Sequence, residues 1–247
     1  MTSSEVWDEA TAATYDEDLS EEFAPSVVEP AVDYLHKLAE GGAALEFAIG
    51  TGRIGIPLAE RGVPVTGVEL SEPMVVELRR KVDEHTLPVV IGDMASTRIP
   101  GEFSLVFLVF NTISNLRTQE EQVECFRNAA RHLRPGGRFV IELWVPNIQN
   151  IAPGTNAVAR DVQDGRASFD TYDLATQACT SQTFSRHPDG SLRHDIGHFR
   201  YLWPSECDLM ATIAGLVLET RMADWRGSPF GASSTKHVSV WRKPVIA

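Results

Sequence analysis

Cysteine is scarce and scattered in this chain. Cys125, Cys179 and Cys207 are its three thiols, odd in number, far apart and without a CxxC or Cys/His pairing. That pattern speaks against a disulfide framework and against a zinc site, so no metal is expected. Cationic side chains are also in deficit: 22 Lys and Arg stand against 34 Asp and Glu, a net charge of −12. A broad phosphate-binding face is therefore not expected, and nucleic acid is a poor candidate partner. No apolar run approaches the length of a membrane span, so no membrane partner is expected either. The acidic N-terminus lacks the apolar h-region of a secretory signal, which predicts a cytoplasmic location. The 247 residues suffice for one large domain, or one domain with an insertion, around a full core.

What the chain does have is an apolar run, Ala43–Ile49, that stops at Gly50, Gly52 and Gly55. Ile54, Pro57, Leu58 and Ala59 then begin a helical pattern. Strand, glycine turn and helix bring a ligand against bare backbone N–H groups. Small residues at 48, 50 and 52 let that ligand approach closely, so a nucleotide-like cofactor is expected. Gly50-x-Gly52-x-x-Gly55 formally matches the dinucleotide fingerprint of an NAD(P)-dependent oxidoreductase. Glu46, near the strand end, disfavours that reading, because its carboxylate would sit beside a pyrophosphate. Opposite a cationic amino-acid ligand the same charge is favourable. Glu69 closes a second short strand (63–69) and suits a pair of vicinal ribose hydroxyls. Both cofactor readings carry a ribose, so Glu69 does not separate them.

The remaining pattern alternates strand and helix. A helix is predicted over 26–39, with Ser26 as N-cap and Glu29 completing a capping box. Further helices are predicted over 53–61, from Ser71 to about 84, and over 119–133. Strands are predicted over 87–91, 103–110 and 138–143, and the continuous apolar run at 103–110 suits the buried centre of a parallel sheet. From 145 to 203 the pattern changes to alternating segments (157–163, 167–175, 179–187, 192–202) separated by polar turns such as His187–Gly190. These predict antiparallel hairpins. A helix opening with Ser205 and Asp208 and a hairpin of 216–223 with 237–241 close the chain. Residues 1–23 are polar and acidic, which predicts a mobile or loosely helical arm.

In this order and spacing the blocks resemble the class I S-adenosylmethionine-dependent methyltransferases. Glu46-x-Ala48-x-Gly50-x-Gly52 is similar to motif I of that family, with Ala48 in place of its first glycine. Val68–Met74, Gly92-Asp93-Met94 and Leu133-Arg134-Pro135-Gly136-Gly137 match its later blocks. Ser104 stands where the family usually has aspartate, at the end of the strand far from the ligand. The resemblance extends to small-molecule enzymes such as amino-sugar N,N-dimethyltransferases and glycine N-methyltransferases. It implies an α/β fold: a Rossmann-like, doubly wound, mostly parallel seven-stranded sheet with an antiparallel β insertion after the fifth strand. Residues 24–144 and 204–247 would form the core, 145–203 an acceptor-side insertion and 1–23 a lid.

The implied cofactor is S-adenosyl-L-methionine, leaving as S-adenosyl-L-homocysteine. Its implied site comprises Glu46, Ala48, Gly50, Thr51, Gly52 and Arg53 on the turn, with Glu69, Leu70 and Met74 after the second strand. Asp93 would face the adenine amine, Met94 would pack on the ring, and Phe110 and Asn111 would follow the fourth strand. Tyr15 would reach the methyl group. Tyr15, Asn111 and His198 are the catalytic candidates. For the acceptor, Glu142 and Trp144 share a face at the cofactor end of the fifth strand. His198 and Arg200 share one face by period two, with Tyr201 on the other, and Trp225 and His237 complete the set. The expected reaction moves a methyl group to a nitrogen or oxygen of a small molecule, in a monomer or homodimer. A non-catalytic cofactor-binding domain is the other alternative.

Overall fold

The computed structural model describes residues 2–146, 148, 151–186 and 189–245. Its N-terminal segment is more regular than its composition suggests. Helix α1 (Glu9–Asp18) starts at Asp8, whose carboxylate accepts from the Thr11 N–H at 2.9 Å. The helix has no apolar stripe and buries only Ala12. It is held from outside: Asp16 accepts from the Thr51 hydroxyl at 2.6 Å and from Lys81 at 2.5 Å.

Helix α2 (Pro25–Ala39) begins one residue earlier than predicted, and the Ser26 capping box does not form. Ala24 is the N-cap and Pro25 the first helical residue, where a proline leaves no orphan N–H. Pro30, inside the helix, has no N–H to offer the Ser26 carbonyl; the Arg226 guanidinium donates to that oxygen at 2.9 Å instead. The glycine turn and its flanks then give β1 (Ala44–Phe47), α3 (Gly55–Glu60), β2 (Val65–Glu69) and α4 (Glu72–Arg79). Ser71 caps α4 as predicted, accepting from the Met74 N–H. Next come β3 (Val89–Ile91), β4 (Phe103–Leu108), α5 (Gln119–His132) and β5 (Leu133–Trp144). The inserted hairpins are β6 (Ala157–Gln163), β7 (Arg166–Tyr172), β8 (Ala178–Arg186) and β9 (Leu192–Arg200). In the polar turn between β8 and β9, His187 and Pro188 lie outside the described residues.

Helix α6 (Pro204–Ile213) again starts on a proline and has no side-chain cap, so the Ser205/Asp208 start is corrected. Asp208 turns outward to Arg221 at 2.7 Å and to the Trp241 indole N–H at 3.0 Å. That ties α6 to the closing hairpin of β10 (Val217–Met222) and β11 (Lys236–Arg242).

The seven core strands form one sheet in the order β10-β11-β5-β4-β1-β2-β3. β5, β4, β1, β2 and β3 run parallel, and β11 is antiparallel to β5 and β10. This is the doubly wound α/β fold, with the inserted strands forming a separate antiparallel sheet β6-β7-β8-β9. Every residue of β1 and β4 is buried, as strands covered on both faces must be. Alternate residues divide between two cores. Leu45, Phe47, Val106 and Leu108 face α5 and α6, while Ala44, Leu105 and Phe107 face α2 and α3. Phe126 meets Phe139 and Trp241 edge to face at 5.2 and 5.3 Å. Side chains of this size, fully buried, contribute about 1.5–3 kcal/mol each. The strand order reverses at β1, between β2 and β4, which opens a crevice beyond their C-terminal ends. Among the described residues no helix is long and apolar enough to cross a membrane.

Candidate active site

The crevice is a cavity of about 970 Å³ with three walls. The first is the set of strand ends. After β1 the chain turns through Ala48, Gly50 and Gly52, all with positive φ (52°, 57° and 90°). Glycine adopts this conformation freely. Ala48, in place of the family's first glycine, is held there at about 1–2 kcal/mol. Phe110 and Asn111 after β4 share the same strained region (58° and 59°), so non-glycine strain gathers on this wall.

Glu69 pins the turn. Its carboxylate accepts from the Gly50 N–H at 2.8 Å and from the Ser71 N–H at 2.9 Å. Each oxygen keeps a further lone pair. Burial pushes this carboxyl above its usual range, and the backbone donors pull against that. Asp93 accepts from the Ala95 N–H through Oδ1 at 2.6 Å, and its Oδ2 has no bond among the described residues. Leu70, Met74 and Met94 supply apolar surface beside these groups. A ribose-like diol at Glu69, an amine at Asp93 and a flat ring on Met94 is what this wall can receive.

Four turn residues are not brought to the cavity. Glu46 is 2 % exposed behind the turn, and a Cβ on Gly55 would lie 2.5 Å from its Oε2. Burial raises its carboxyl well above the usual range, against the opposing charge of Arg53. Glu46 does not line the cavity and lies behind the turn, among the groups that support it. Thr51 is buried and gives its hydroxyl to Asp16. Gly52 faces Ile56. Arg53 stacks over the Phe110 ring at 4.8 Å and borders a separate chamber of about 290 Å³.

Of the acceptor candidates, Trp144 and Tyr201 line the cavity. Glu142 does not. One of its oxygens accepts from the Phe110 N–H at 3.1 Å and the other from the Trp225 indole N–H at 2.7 Å. Glu142 and Trp225 thus fasten β5 to the strained end of β4, bordering the smaller chamber. Asn111 does line the cavity, and its Oδ1 accepts from the Trp144 N–H at 3.1 Å. Arg200 is 5 % exposed and faces Gln122, Gln177 and Glu206 at 2.5, 3.0 and 2.8 Å. His237 is fully buried against Ser239, and burial lowers its pKa to about 4, with Arg221 adding to the effect. His198 is exposed and bonded to Thr180, on the face of β9 that turns away from the cavity.

The second wall is the other face of the inserted sheet. Cross-strand rows bring Asp170, Ser181 and Gly197 side by side, then Ser168, Thr183 and Asp195, then Tyr172, Cys179 and Phe199. The sequence signal for this face was the period of two running back from Tyr201 through Phe199, Gly197 and Asp195. His198 and Arg200 stand on the opposite face.

The third wall is the N-terminal segment. Trp7 and Tyr15 lie 6.3 Å apart, the Trp7 carbonyl accepts from the Ser71 hydroxyl at 2.7 Å, and both rings border the cavity. Burial raises the Tyr15 phenol above its usual range, opposed by Arg53. Ser4 bonds the Asn115 carbonyl at 3.1 Å, so the segment crosses the mouth of the crevice.

Comparison with known proteins agrees with this arrangement. A family model described as a methyltransferase domain matches residues 44–137. A dTDP-3-amino-3,6-dideoxy-alpha-D-glucopyranose N,N-dimethyltransferase from Streptomyces fradiae is 33% identical over 73% of this chain and 72% of its own. The cypemycin N-terminal methyltransferase of a Streptomyces sp is 28% identical over 97% of this chain and 98% of its own. The structure of the CcbJ methyltransferase from Streptomyces caelestis superposes with a TM-score of 0.83 at 34% identity, covering 97% of this chain and 100% of that one. None of these relatives is an oxidoreductase, and the dinucleotide reading finds no support in them.

Proposed function

We infer, from a chain that belongs to the class I S-adenosylmethionine-dependent methyltransferases, that the methyl group is delivered to an amine nitrogen of a small molecule. The chain is an enzyme and S-adenosylmethionine is its donor. The residues of the first wall fit that donor: Glu69 has lone pairs left for two ribose hydroxyls, and Asp93 Oδ2 is free for the adenine amine. Gly50 and Ala48 let the backbone come close, and Met94 offers a soft apolar face.

One observation carries the acceptor assignment. The same cavity runs from this wall to an inner sheet face that bears carboxylates, hydroxyls and aromatic rings, with Arg160 and Arg166 at its edge. A volume of about 970 Å³ lies at the upper end for one drug-sized ligand and admits donor and acceptor together. S-adenosylmethionine supplies an electrophilic methyl carbon on a positively charged sulfur, so the nitrogen lone pair forms the N–C bond as the C–S pair returns to sulfur. An amine that has given up its extra proton needs only alignment for this step, whereas a hydroxyl must still be deprotonated as it attacks. Both histidines considered for the acceptor side lie elsewhere: His198 on the outer face of the inserted sheet and His237 buried in β11 of the core sheet. Asn111 on the first wall and Tyr15 on the third border the cavity and are the residues to orient the partners, while Trp7 and Tyr15 exclude water. The relatives whose printed names specify an N-terminal or N,N-dimethyl transfer support nitrogen as the acceptor atom.

The test is S-adenosylhomocysteine release, followed by mass spectrometry, across matched libraries of aliphatic amines, phenols and carboxylic acids. Methylated products confined to amines are expected. Products confined to phenols or acids overturn the nitrogen assignment.

A further inference from the structure

Asp170 on β7 is a carboxylate without the partners that its surroundings demand. It faces the cavity with its side chain 15 % exposed. Its Oδ1 is closed to water and makes no hydrogen bond. Its Oδ2 has the Tyr172 hydroxyl at 3.5 Å, at the limit of hydrogen-bond distance. The nearest cation is Arg160, whose Nε lies 3.9 Å from Oδ1, too far to donate a hydrogen bond, and whose side chain is 43 % exposed. An ion pair of that length and exposure contributes little.

Apart from Arg160, the side chains packed around Asp170 add no positive charge. Tyr172 and Cys179 stay neutral: burial pushes the phenol up strongly and the thiol up to about 12, and the Asp170 charge adds to both. Ser181 and Gly197 stand beside it in the cross-strand row, and a Cβ on Gly197 would lie 2.8 Å from the Phe199 ring. The Phe199 ring thus fills the side-chain space at Gly197. Tyr172 and Tyr201 meet edge to face at 5.7 Å on the other side. A negatively charged group held short of hydrogen bonds is costly when dry and is stabilised by any cation that enters. Aromatic faces around it add attraction for the same charge.

We propose that Asp170 is the subsite for the acceptor's cationic nitrogen, so that the acceptor is an aliphatic amine, protonated in solution and carried on an apolar or ring framework. This rests on the N-methyltransferase reading but adds to it a residue and an ionisation state. The ammonium bonds Oδ2, and the aromatic rings of the insertion cover its skeleton. One N–H proton must leave before the lone pair can attack. Asp170 is placed to accept it and to release it to solvent after turnover. Arg160 competes for the same carboxylate, so removing Arg160 strengthens ammonium binding while removing the Asp170 charge abolishes it.

The experiment is ligand-observed NMR titration of the S-adenosylhomocysteine-saturated protein. The probes are benzylammonium, cyclohexylammonium and pyrrolidinium, with benzyl alcohol and cyclohexanol as neutral controls. Wild type is expected to bind at least one ammonium at least about tenfold more tightly than its neutral counterpart, the scale of a charge-assisted hydrogen bond. Asp170→Asn should lose that preference, and Arg160→Gln should increase it about two- to fivefold. Absence of ammonium binding, equal binding of the neutral controls, or an unchanged preference in Asp170→Asn overturns the assignment. A parallel loss in Arg160→Gln also overturns it, because the carboxylate would then serve only to hold the arginine. The outcome is separable from the parent reading. Asp170-dependent ammonium binding without any methylated amine leaves the subsite standing and removes N-methylation. Amine methylation equal in wild type and Asp170→Asn does the reverse.

Discussion

The two facing walls of the cavity are finished to different degrees. On the core wall the backbone is tied down by carboxylates: Glu69 holds two N–H groups and, behind the cavity, Glu142 holds Phe110 and Trp225, while Asp93 keeps Oδ2 open. Strained residues Ala48, Phe110 and Asn111 are kept in place by this bonding. On the inserted sheet Arg193 holds Asp195 at 2.7 Å, but the charged groups of β6 and β7 meet loosely. Arg160 and Arg166 face Asp170 and Asp161 at 3.9 and 3.8 Å, and Asp170 Oδ1 has no hydrogen bond. A wall that binds a fixed donor gains from pre-organisation. A wall that selects an acceptor keeps donors and acceptors of its own unmatched until that ligand arrives. The contrast supports the proposed division, with donor recognition in the core and acceptor recognition in the insertion.

Cutting the joint between the walls has the largest expected effect. Arg200 leaves β9 to bond Gln122 on α5 and Glu206 on α6, with its side chain 6 % exposed. Arg200→Ala strands Glu206, whose carboxyl burial would raise but which bonds from Gln177, Arg200 and Gln119 hold below its usual range. Denaturant titration should show a loss of about 3–5 kcal/mol, as for removal of one partner of a buried pair. A change below 1 kcal/mol would mean that the two walls are joined elsewhere.

Removing the third wall is the next test. Deleting residues 1–18 takes away Trp7, Tyr15 and α1 but no strand of either sheet. The unfolding temperature should fall only slightly. Turnover should drop about hundredfold, through lost alignment and water exclusion. Full activity in a folded truncation would contradict a closing role for this segment. A smaller effect sharpens the view of the core wall. Ala48→Gly relieves a left-handed alanine and, after the extra chain entropy of glycine, should stabilise the protein by about 0.5–1 kcal/mol. Destabilisation would show that the alanine methyl is needed for packing.

The same contrast explains what could be read from the sequence. The core wall was legible because its chemistry is local: glycines that must turn, an acid at a strand end and Gly-Asp-Met after a strand, each at fixed spacing. Glu69 could be named from its place at a strand end, whereas Asp93 was named through the resemblance to the methyltransferase family. The insertion was legible as strands but not as a surface, since a period of two defines two faces without saying which one turns inward. His198 and Arg200 carry the more suggestive side chains, yet the cavity face belongs to Asp195, Gly197 and Phe199. Glu142 looked like an acceptor ligand because a carboxylate at a strand end is often free; its two oxygens are engaged by residues 32 and 83 positions away. Both failed helix caps, Ser26 and Ser205, follow a proline at the first helical position, which fixed the start one residue earlier.

The central claim is that one wall takes the donor and the other the acceptor, and calorimetry on two variants tests it most directly. Each folded variant is titrated with S-adenosylmethionine and, when saturated with S-adenosylhomocysteine, with the tightest ammonium probe. Glu69→Ala should lose about 2–4 kcal/mol of donor affinity, the scale of charged hydrogen bonds to two hydroxyls, while Asp170→Asn leaves the donor unchanged and loses the ammonium. Unchanged donor affinity in Glu69→Ala, or equal loss of donor affinity in both variants, would contradict the division.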